Sequence, residues 1–180
     1  MWITFWTAIG AIATVLAILI PLLRHHRKNK VRIKIFLSMQ MAGLNEDKYK
    51  KLHQRLLHVI MELRKDYEVY FYNEPFKSLS EFSDEKICVE SYLNDISASD
   101  CFIAILSEKV VSSIYFEIGY AIAHKKHIIV FVNNVRDPPL LIRQAAKIYP
   151  SVKLITRDDD SVIEQEIKLF MNVFKKKKDK

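Results

Sequence analysis

Glycine, proline and cysteine are scarce in this 180-residue chain, which contains three, five and two of them, respectively. There is no glycine-rich dinucleotide fingerprint, no GxxxxGK loop and no serine nucleophile elbow. The six histidines do not share faces or carboxylate neighbours as zinc ligands do. These absences remove the usual support for hydride transfer, phosphoryl transfer, serine hydrolysis and metal catalysis, and we expect neither a cofactor nor a bound metal.

Positive charge is concentrated at two places. The net charge is +7, of which residues 24–30 carry +4 and residues 175–180 carry +4, leaving −1 for residues 31–174. The central part has no basic stripe with interleaved aromatic residues, so we expect no nucleic-acid partner. The basic clusters suit anionic lipid headgroups, or the tail at 175–180 is simply a solvated end.

Residues 1–23 are predicted to form a single transmembrane helix. The run from residue 2 to residue 23 has no charge, and at 1.5 Å per residue it reaches about 33 Å, enough for a hydrocarbon core of roughly 30 Å. A cleaved signal peptide would have a basic start and a small-residue cleavage site. The basic linker at 24–30 should stay inside, so we predict an inner-membrane protein with its N-terminus outside and the following domain cytoplasmic.

The remainder alternates short apolar runs with amphipathic ones, and the tail begins at residue 175. Residues 31–174 are predicted to form one α/β domain with a five-stranded, parallel, doubly wound sheet in the order 2-1-3-4-5. Asn45 is predicted to cap the first helix of this domain and Ser83 the second. Cys101 opens a continuous apolar run that is typical of a strand buried on both faces.

One carboxylate stands out in the stretch SSIYFEIGYAIAHKK, which begins at Ser112. Glu117 lies among apolar and aromatic residues, just after the third predicted strand, where ligands bind in such sheets. A capping serine, Ser112 or Ser113, would leave helix N–H groups for a phosphate, and Gly119 suggests that a neighbour approaches the helix backbone closely. The alternative is that Glu117 is an ordinary acid in a first helical turn.

Three stretches carry a family resemblance: IKIFLSMQMAGLNEDKYKKL, DISASDCFIAIL and SSIYFEIGYAIAHKKHIIVFV. Together they resemble the nucleoside 2-deoxyribosyltransferase and nucleotide N-hydrolase superfamily over about residues 31–133. The order of elements also resembles TIR-type domains that cleave NAD, although the first resemblance is closer. Both imply cleavage of an N-glycosidic bond, and related enzymes often build their pockets across subunits, so we expect a homo-oligomer.

The resemblance implies roles for individual residues. Glu117 corresponds to the carboxylate that attacks or stabilises C1′ of the sugar. The residues assigned to substrate binding are Ser38, Gln40, Met41, Gly43, Ser112, Ser113, Gly119, Tyr120 and Asn133. Relatives usually carry a second acid about eight residues before the counterpart of Asp100. Here Tyr92 stands at that place, and Glu90 or Asp95 would substitute for the acid if the helix register shifts. Asp100 itself is expected to be structural.

These features predict a membrane-anchored N-glycosidase or N-glycosyltransferase acting on a nucleotide, a nucleoside or NAD, in the role of a bacterial defence effector that depletes nucleotides. Two alternatives stay open at this point. One is a nucleotide sensor that has kept the pocket and lost the chemistry, and Tyr92 is the feature that favours it. The other is an interaction module in which Glu117 is a helix-start acid.

Overall fold

Strands and helices alternate along the chain in a computed structural model that describes residues 32–84, 89–108, 113–157 and 161–178. The elements, numbered here in chain order, are β1 (Lys34–Met39), α1 (Glu46–Leu63), β2 (Glu68–Phe71), α2 (Leu79–Asp84), α3 (Val89–Ala98), β3 (Cys101–Ile105), α4 (Ile114–Ala123), β4 (His127–Val132), α5 (Leu140–Ile148), β5 (Val152–Thr156) and α6 (Ser161–Lys178).

The five strands form one parallel sheet in the order β2-β1-β3-β4-β5. Leu37 of β1 pairs with Phe71 of β2 on one side and with Ile103 of β3 on the other. The predicted fold class and strand order are confirmed. The order reverses between β1 and β3, so the carboxyl ends of these two strands border the crevice where ligands bind in this class of sheet.

Strand residues alternate between two apolar layers, which explains why the sheet is covered on both sides. Ile103 and its odd-numbered neighbours in β3 pack with residues of α1 and α6. Phe102 and Ala104 pack on the opposite face with residues of α3, α4 and α5. Successive side chains of a strand point to opposite faces, so every position of β3 is buried. Cys101 is fully buried, as expected.

The helix caps confirm one prediction and correct another. Asn45 caps α1, with its side-chain oxygen accepting from Lys48 N at 2.9 Å. Ser83 was predicted to start the next helix, but it lies inside α2. The residue that caps α2 is Ser78, whose hydroxyl accepts from Glu81 N at 3.3 Å. The sequence S-x-x-E at residues 78–81 is a capping-box pattern, and it starts the helix one turn earlier.

Asp100 holds the opposite end of the sheet from the predicted crevice. Its carboxylate accepts from Lys34 N at 2.9 Å, and its own N–H donates to the Lys34 carbonyl at 2.8 Å. Both contacts join the start of β3 to the start of β1. The predicted structural role of Asp100 is confirmed.

The predicted membrane anchor at residues 1–23 and the basic linker at 24–30 lie outside the described residues, and so does the end of the tail. Within the described ranges, no helix combines the length and the apolar character that crossing a bilayer requires.

Candidate active site

Glu117 is buried in the first turn of α4, with 8% of its surface exposed. Ile114, Glu117, Ile118 and Ala121 are the buried residues of this helix, and their spacing of three and four places them on one face. The helical period therefore turns a carboxylate toward the sheet, on the same face as three apolar side chains. An ordinary first-turn acid would face solvent, and Glu117 does not.

Two hydroxyl groups hold the Glu117 carboxylate. Tyr92 on α3 donates from Oη to Glu117 Oε2 across 2.8 Å. Ser38, buried near the end of β1, lies close enough that its hydroxyl lowers the pKa of both the Glu117 carboxyl and the Tyr92 phenol. A serine hydroxyl has one proton, and a carboxylate is a stronger acceptor than a phenol oxygen. Ser38 is therefore best placed as a second donor to Glu117.

Burial dominates the acid–base properties of this pair. It raises the pKa of the Glu117 carboxyl above its ordinary value, while the hydrogen bonds from Ser38 and Tyr92 act in the opposite direction. Burial also raises the pKa of Tyr92, and the negative charge of Glu117 raises it further. Both shifts follow from the cost of placing a charge in an apolar site. Tyr92 therefore remains protonated and keeps donating to Glu117.

Aromatic rings fix the position of the Tyr92 side chain. The ring of Phe36 meets it edge-on at 5.0 Å between centroids, and the ring of Tyr72 does so at 4.7 Å. Tyr72 in turn donates from its hydroxyl to Asp95 Oδ2 across 2.5 Å. Edge-to-face pairs of this kind are a favoured aromatic geometry. The Tyr92 hydroxyl is thus aimed by packing from β1 and from the end of β2.

The three residues predicted around the second-acid position have different surroundings. Tyr92 is the one that contacts Glu117. Asp95 lies one turn further along α3 and accepts from Tyr72, and Glu90 is exposed at the second position of the helix. The structure therefore brings a phenol to Glu117 from α3 and directs the Asp95 carboxylate to a different tyrosine.

The loop after β1 is fastened to the loop after β3 by Gln40. This side chain is fully buried, accepts from Ser107 N at 3.2 Å and Glu108 N at 3.3 Å, and donates to the Ala42 carbonyl at 2.8 Å. Gln40 was assigned to substrate binding, and the contacts described for its side chain are with backbone groups of the two loops. Its amide therefore braces the loop that precedes α4.

Ser107 is the meeting point of loops from four strands. Gln40 binds its N–H, Asn133 Nδ2 donates to its carbonyl at 2.6 Å, and Arg157 Nη2 donates to its hydroxyl at 2.7 Å. Arg157 also donates to the Leu106 carbonyl at 3.3 Å. Arg157 was missed from the sequence, although a charged residue directly after β5 lies at the ligand-binding edge of a parallel sheet. Asn133 has the same bracing contact.

Two other residues that were predicted to bind substrate, both in the loop after β1, have structural roles in that loop. Gly43 adopts a φ of 84°, a left-handed conformation that glycine reaches without steric cost. The Met41 sulfur accepts from Asn73 Nδ2 at 2.7 Å, which joins this loop to the turn after β2. Neither feature involves Glu117.

Besides Gly119, three other predicted site residues lie in or next to α4 in the sequence, and the structure describes two of them. Ser112 lies outside the described residues. Ser113 occupies the N-cap position, is exposed and makes no side-chain capping bond. Tyr120 is half-buried, and its ring lies 4.3 Å from that of His124.

The surroundings of Gly119 differ from those that were predicted. A close approach to its backbone by a neighbour was expected, but Gly119 is exposed and a Cβ added there meets no described atom outside its own helix backbone within 4 Å. The helical period explains the difference, because Gly119 lies on the outward face beside Phe116, which is 62% exposed.

A groove of about 550 Å³ opens at the β2 edge of the sheet, lined among others by Arg64, Tyr72, Glu74 and Asp95. These four polar groups are paired with one another: Arg64 binds Glu74 through both terminal guanidinium nitrogens, at 2.6 and 2.5 Å, and Tyr72 binds Asp95. Glu117 does not line this groove. In the described part of the chain, no cluster of three or more His, Cys, Asp or Glu side chains could hold a metal ion.

Comparison with known proteins gives the family. Residues 36–173 match the family described as nucleoside 2-deoxyribosyltransferase, and the chain belongs to it. The structure of a CMP N-glycosidase from Clostridium botulinum, BcmB, is 23% identical, with a TM-score of 0.54 over 76% of this chain and 98% of that chain. The solution structure of BlsM is 17% identical, with a TM-score of 0.56 over 76% of this chain and 87% of that one. No curated protein matches the chain.

Proposed function

We propose that the protein is an N-glycosidase or N-glycosyltransferase that releases or exchanges the base of a nucleotide, a nucleoside or NAD, with Glu117 as the nucleophile. The observation that carries this proposal is the buried carboxylate of Glu117, held by the hydroxyls of Tyr92 and Ser38 at the crevice edge of the sheet. Burying a carboxylate destabilises a protein unless the group is paired, and groups with shifted pKa values cluster at functional sites.

The comparisons support the same chemistry. Membership of the nucleoside 2-deoxyribosyltransferase family supports cleavage at the bond between sugar and base. The structural likeness to a CMP N-glycosidase supports a nucleotide as the substrate. We propose that Ser113, which is exposed at the start of α4 and makes no side-chain capping bond, contacts a 5′-phosphate. Ser112 would share this role.

In the proposed reaction, a Glu117 oxygen attacks C1′ of the sugar while the bond from C1′ to the base nitrogen breaks. The sugar is then held as an ester of Glu117, as in retaining glycoside hydrolysis. Water or a second base attacks C1′ and releases the carboxylate. Tyr92 and Ser38 orient the attacking oxygen through the hydrogen bonds described above.

We further propose that residues 1–23 anchor this enzyme in the inner membrane, with the domain at 31–174 in the cytoplasm and the clusters at 24–30 and 175–180 near anionic lipid. The uncharged run and its basic flank support this topology. Anchoring suits an effector more than a salvage enzyme, so we propose a homo-oligomeric defence effector that depletes nucleotides. Protease digestion of the domain from outside intact spheroplasts would contradict the topology.

A second candidate function is a nucleotide sensor without turnover. The observation that favours it is Tyr92, which occupies the place where the family resemblance implies a second acid and contacts Glu117 directly. A phenol with a raised pKa is a weak proton donor. A sensor would bind nucleotide tightly and release no base.

Base release tests the proposal and separates the two functions. Purified full-length protein in detergent is incubated with NAD, deoxynucleosides and nucleoside monophosphates, and free base is measured by chromatography. We expect release by the wild type and by the control Glu62→Gln, which alters an exposed ion pair with Lys65 at the end of α1. Glu117→Gln should lower the rate by about 10³-fold or more. Equal rates in wild type and Glu117→Gln would contradict a nucleophilic role, and tight binding without turnover would support the sensor.

A further inference from the structure

The protons nearest to Glu117 are committed to the Glu117 carboxylate. Tyr92 Oη donates to Oε2 across 2.8 Å, and the neighbouring Ser38 hydroxyl lowers the pKa of the same carboxyl group. Each hydroxyl has a single proton, and hydrogen bonds to an ionised acceptor are stronger than those between neutral groups. Both protons therefore stabilise the attacking carboxylate, and neither is poised to move to a departing base.

The two carboxyl groups of α3 are directed away from Glu117: one is bound to a tyrosine and the other is exposed to solvent. Asp95 accepts from the Tyr72 hydroxyl at 2.5 Å, and Glu90 is exposed at the start of the helix. The side chain that α3 directs to Glu117 is Tyr92, and burial together with the charge of Glu117 raises its pKa above the ordinary value for tyrosine. Tyr92 is suited to donating a hydrogen bond and poorly suited to giving up a proton.

The proton matters because bases differ in how they leave the sugar. A neutral cytosine or guanine takes the electron pair of the broken bond and departs as an anion unless an acid protonates it. A base that already carries a positive charge takes the same electron pair and departs neutral. Only the first kind requires a proton donor at the site.

Charge also favours an incoming cation. Glu117 is 8% exposed, and the two groups that lower its pKa, the hydroxyls of Tyr92 and Ser38, are uncharged. A buried charge gains most from an opposite charge that arrives in the same low-dielectric environment. A substrate with a cationic ring at C1′ would supply that charge next to the carboxylate.

We infer that the site is adapted to N-glycosides whose base already carries a positive charge, namely pyridinium ribosides such as those of nicotinamide and purines alkylated at N7. This inference rests on the function proposed above. In the first step the bond from Glu117 oxygen to C1′ forms, the bond from C1′ to nitrogen breaks, and its electron pair neutralises the ring. In the second step water attacks C1′, the ester bond breaks to restore the carboxylate, and the extra proton of the water passes to solvent.

Two matched pairs of nucleotides test the inference with the full-length protein in detergent. The first pair is 7-methylguanosine 5′-monophosphate and GMP, which differ in the methyl group and its charge. The second pair is nicotinamide mononucleotide and CMP. We expect kcat/KM to be about 100-fold higher for the charged member of each pair, the scale of a missing general acid. A difference below tenfold in both pairs, with both activities lost in Glu117→Gln, would overturn the inference and leave the proposed function standing. No base release from any of the four would overturn the proposed function itself.

Variants of Tyr92 separate substrate preference from intrinsic bond lability, which is the same for every variant. Tyr92→Phe keeps the ring, and we expect it to lower kcat/KM for 7-methylguanosine monophosphate and GMP by the same factor. A loss at least tenfold greater on GMP would identify Tyr92 as the proton donor and overturn the inference. Tyr92→Asp supplies an acid, and we expect it to narrow the charged-to-neutral ratio by about tenfold. An unchanged charged-to-neutral ratio of kcat/KM in Tyr92→Asp, with a Tm equal to that of the wild type, would also contradict the inference.

Discussion

At the scale of single residues, the site depends on how a carboxylate is kept in an apolar environment. Glu117 loses solvent through burial and regains part of that loss through hydrogen bonds from Tyr92 and Ser38. Because burial has the larger effect, the neutral form of Glu117 is favoured relative to an exposed glutamate. Two consequences follow, one for the pH dependence of turnover and one for the stability of the fold.

The pH dependence of turnover should report the Glu117 pKa. Attack on C1′ requires the ionised carboxylate, so kcat/KM should rise with pH through a pKa above the usual range of about 4.3. Tyr92→Phe removes a hydrogen bond that lowers this pKa, and the rise should therefore move to higher pH. A pH profile of base release measures both positions.

The matched control is Tyr149→Phe, which alters a tyrosine that is 49% exposed at the end of α5. Its profile should overlay that of the wild type. A Tyr92→Phe profile that moves to lower pH would contradict the proposed effect of the Tyr92 hydroxyl on Glu117.

The stability of the fold should depend on the same group with a defined sign. A carboxyl whose pKa is raised in the folded state binds protons more readily folded than unfolded, so its contribution is most favourable below the unfolded pKa. That contribution is lost as pH rises through the folded pKa. Glu117→Gln removes this loss, and its Tm relative to wild type should rise by a few degrees between pH 4 and pH 7. If the Tm of Glu117→Gln relative to wild type falls as the pH rises, the raised pKa of the Glu117 carboxyl is contradicted.

At the scale of secondary-structure elements, α4 has two functional faces. Its inward face carries Glu117 among apolar residues, while its outward face presents Phe116 and Gly119 to solvent. Open space around Gly119 means that a side chain there has room on the helix surface. The glycine is therefore dispensable for packing within the described residues.

Replacing Gly119 by alanine should stabilise the protein. Alanine is favoured over glycine inside a helix by about 0.5–1 kcal/mol, and the added Cβ meets no described atom within 4 Å. Thermal unfolding should show a Tm higher by about 1–4 °C. A lower Tm for Gly119→Ala would mean that the outward face of α4 is covered.

The loops around Ser107 form a second element-level feature, and Gln40 is its buried centre. Gln40→Ala leaves the N–H groups of Ser107 and Glu108 without their side-chain acceptor. Unsatisfied buried polar groups cost about 1–3 kcal/mol each, so chemical denaturation should show a stability loss of that order. The matched control is Asn134→Ala, which removes one exposed bond to Arg136 N and should cost less than about 1 kcal/mol. Equal losses for the two variants would contradict the bracing role of Gln40.

At the scale of the whole molecule, the sheet could be predicted because two simple patterns determine it. Alternation along strands such as β1 distributes side chains between two apolar layers, and the βα order restricts the topology to few choices. The same order located Glu117 at the crevice. Features that are determined by the hydrophobic period and by the order of strands and helices could therefore be predicted from the sequence.

Details that depend on the direction of individual side chains could not be predicted from the sequence. Whether Tyr92, Asp95 or Glu90 meets Glu117 depends on the rotation of α3 by a fraction of a turn, and helix boundaries read from a sequence are less certain than that. Gln40 and Asn133 were expected to face a ligand, but their hydrogen bonds go to Ser107. Polar residues at a crevice edge can serve the loops or the substrate, and only their geometry separates the two.

Trapping the sugar on Glu117 tests the central claim most directly. The full-length protein is mixed with a nucleotide from which it releases base, quenched with acid within milliseconds to seconds, digested and analysed by mass spectrometry. We predict a glycosyl adduct on the peptide that contains Glu117 in the wild type, and neither adduct nor base release in Glu117→Gln. An adduct on another residue, or undiminished base release by Glu117→Gln, would contradict the assignment of Glu117 as the nucleophile.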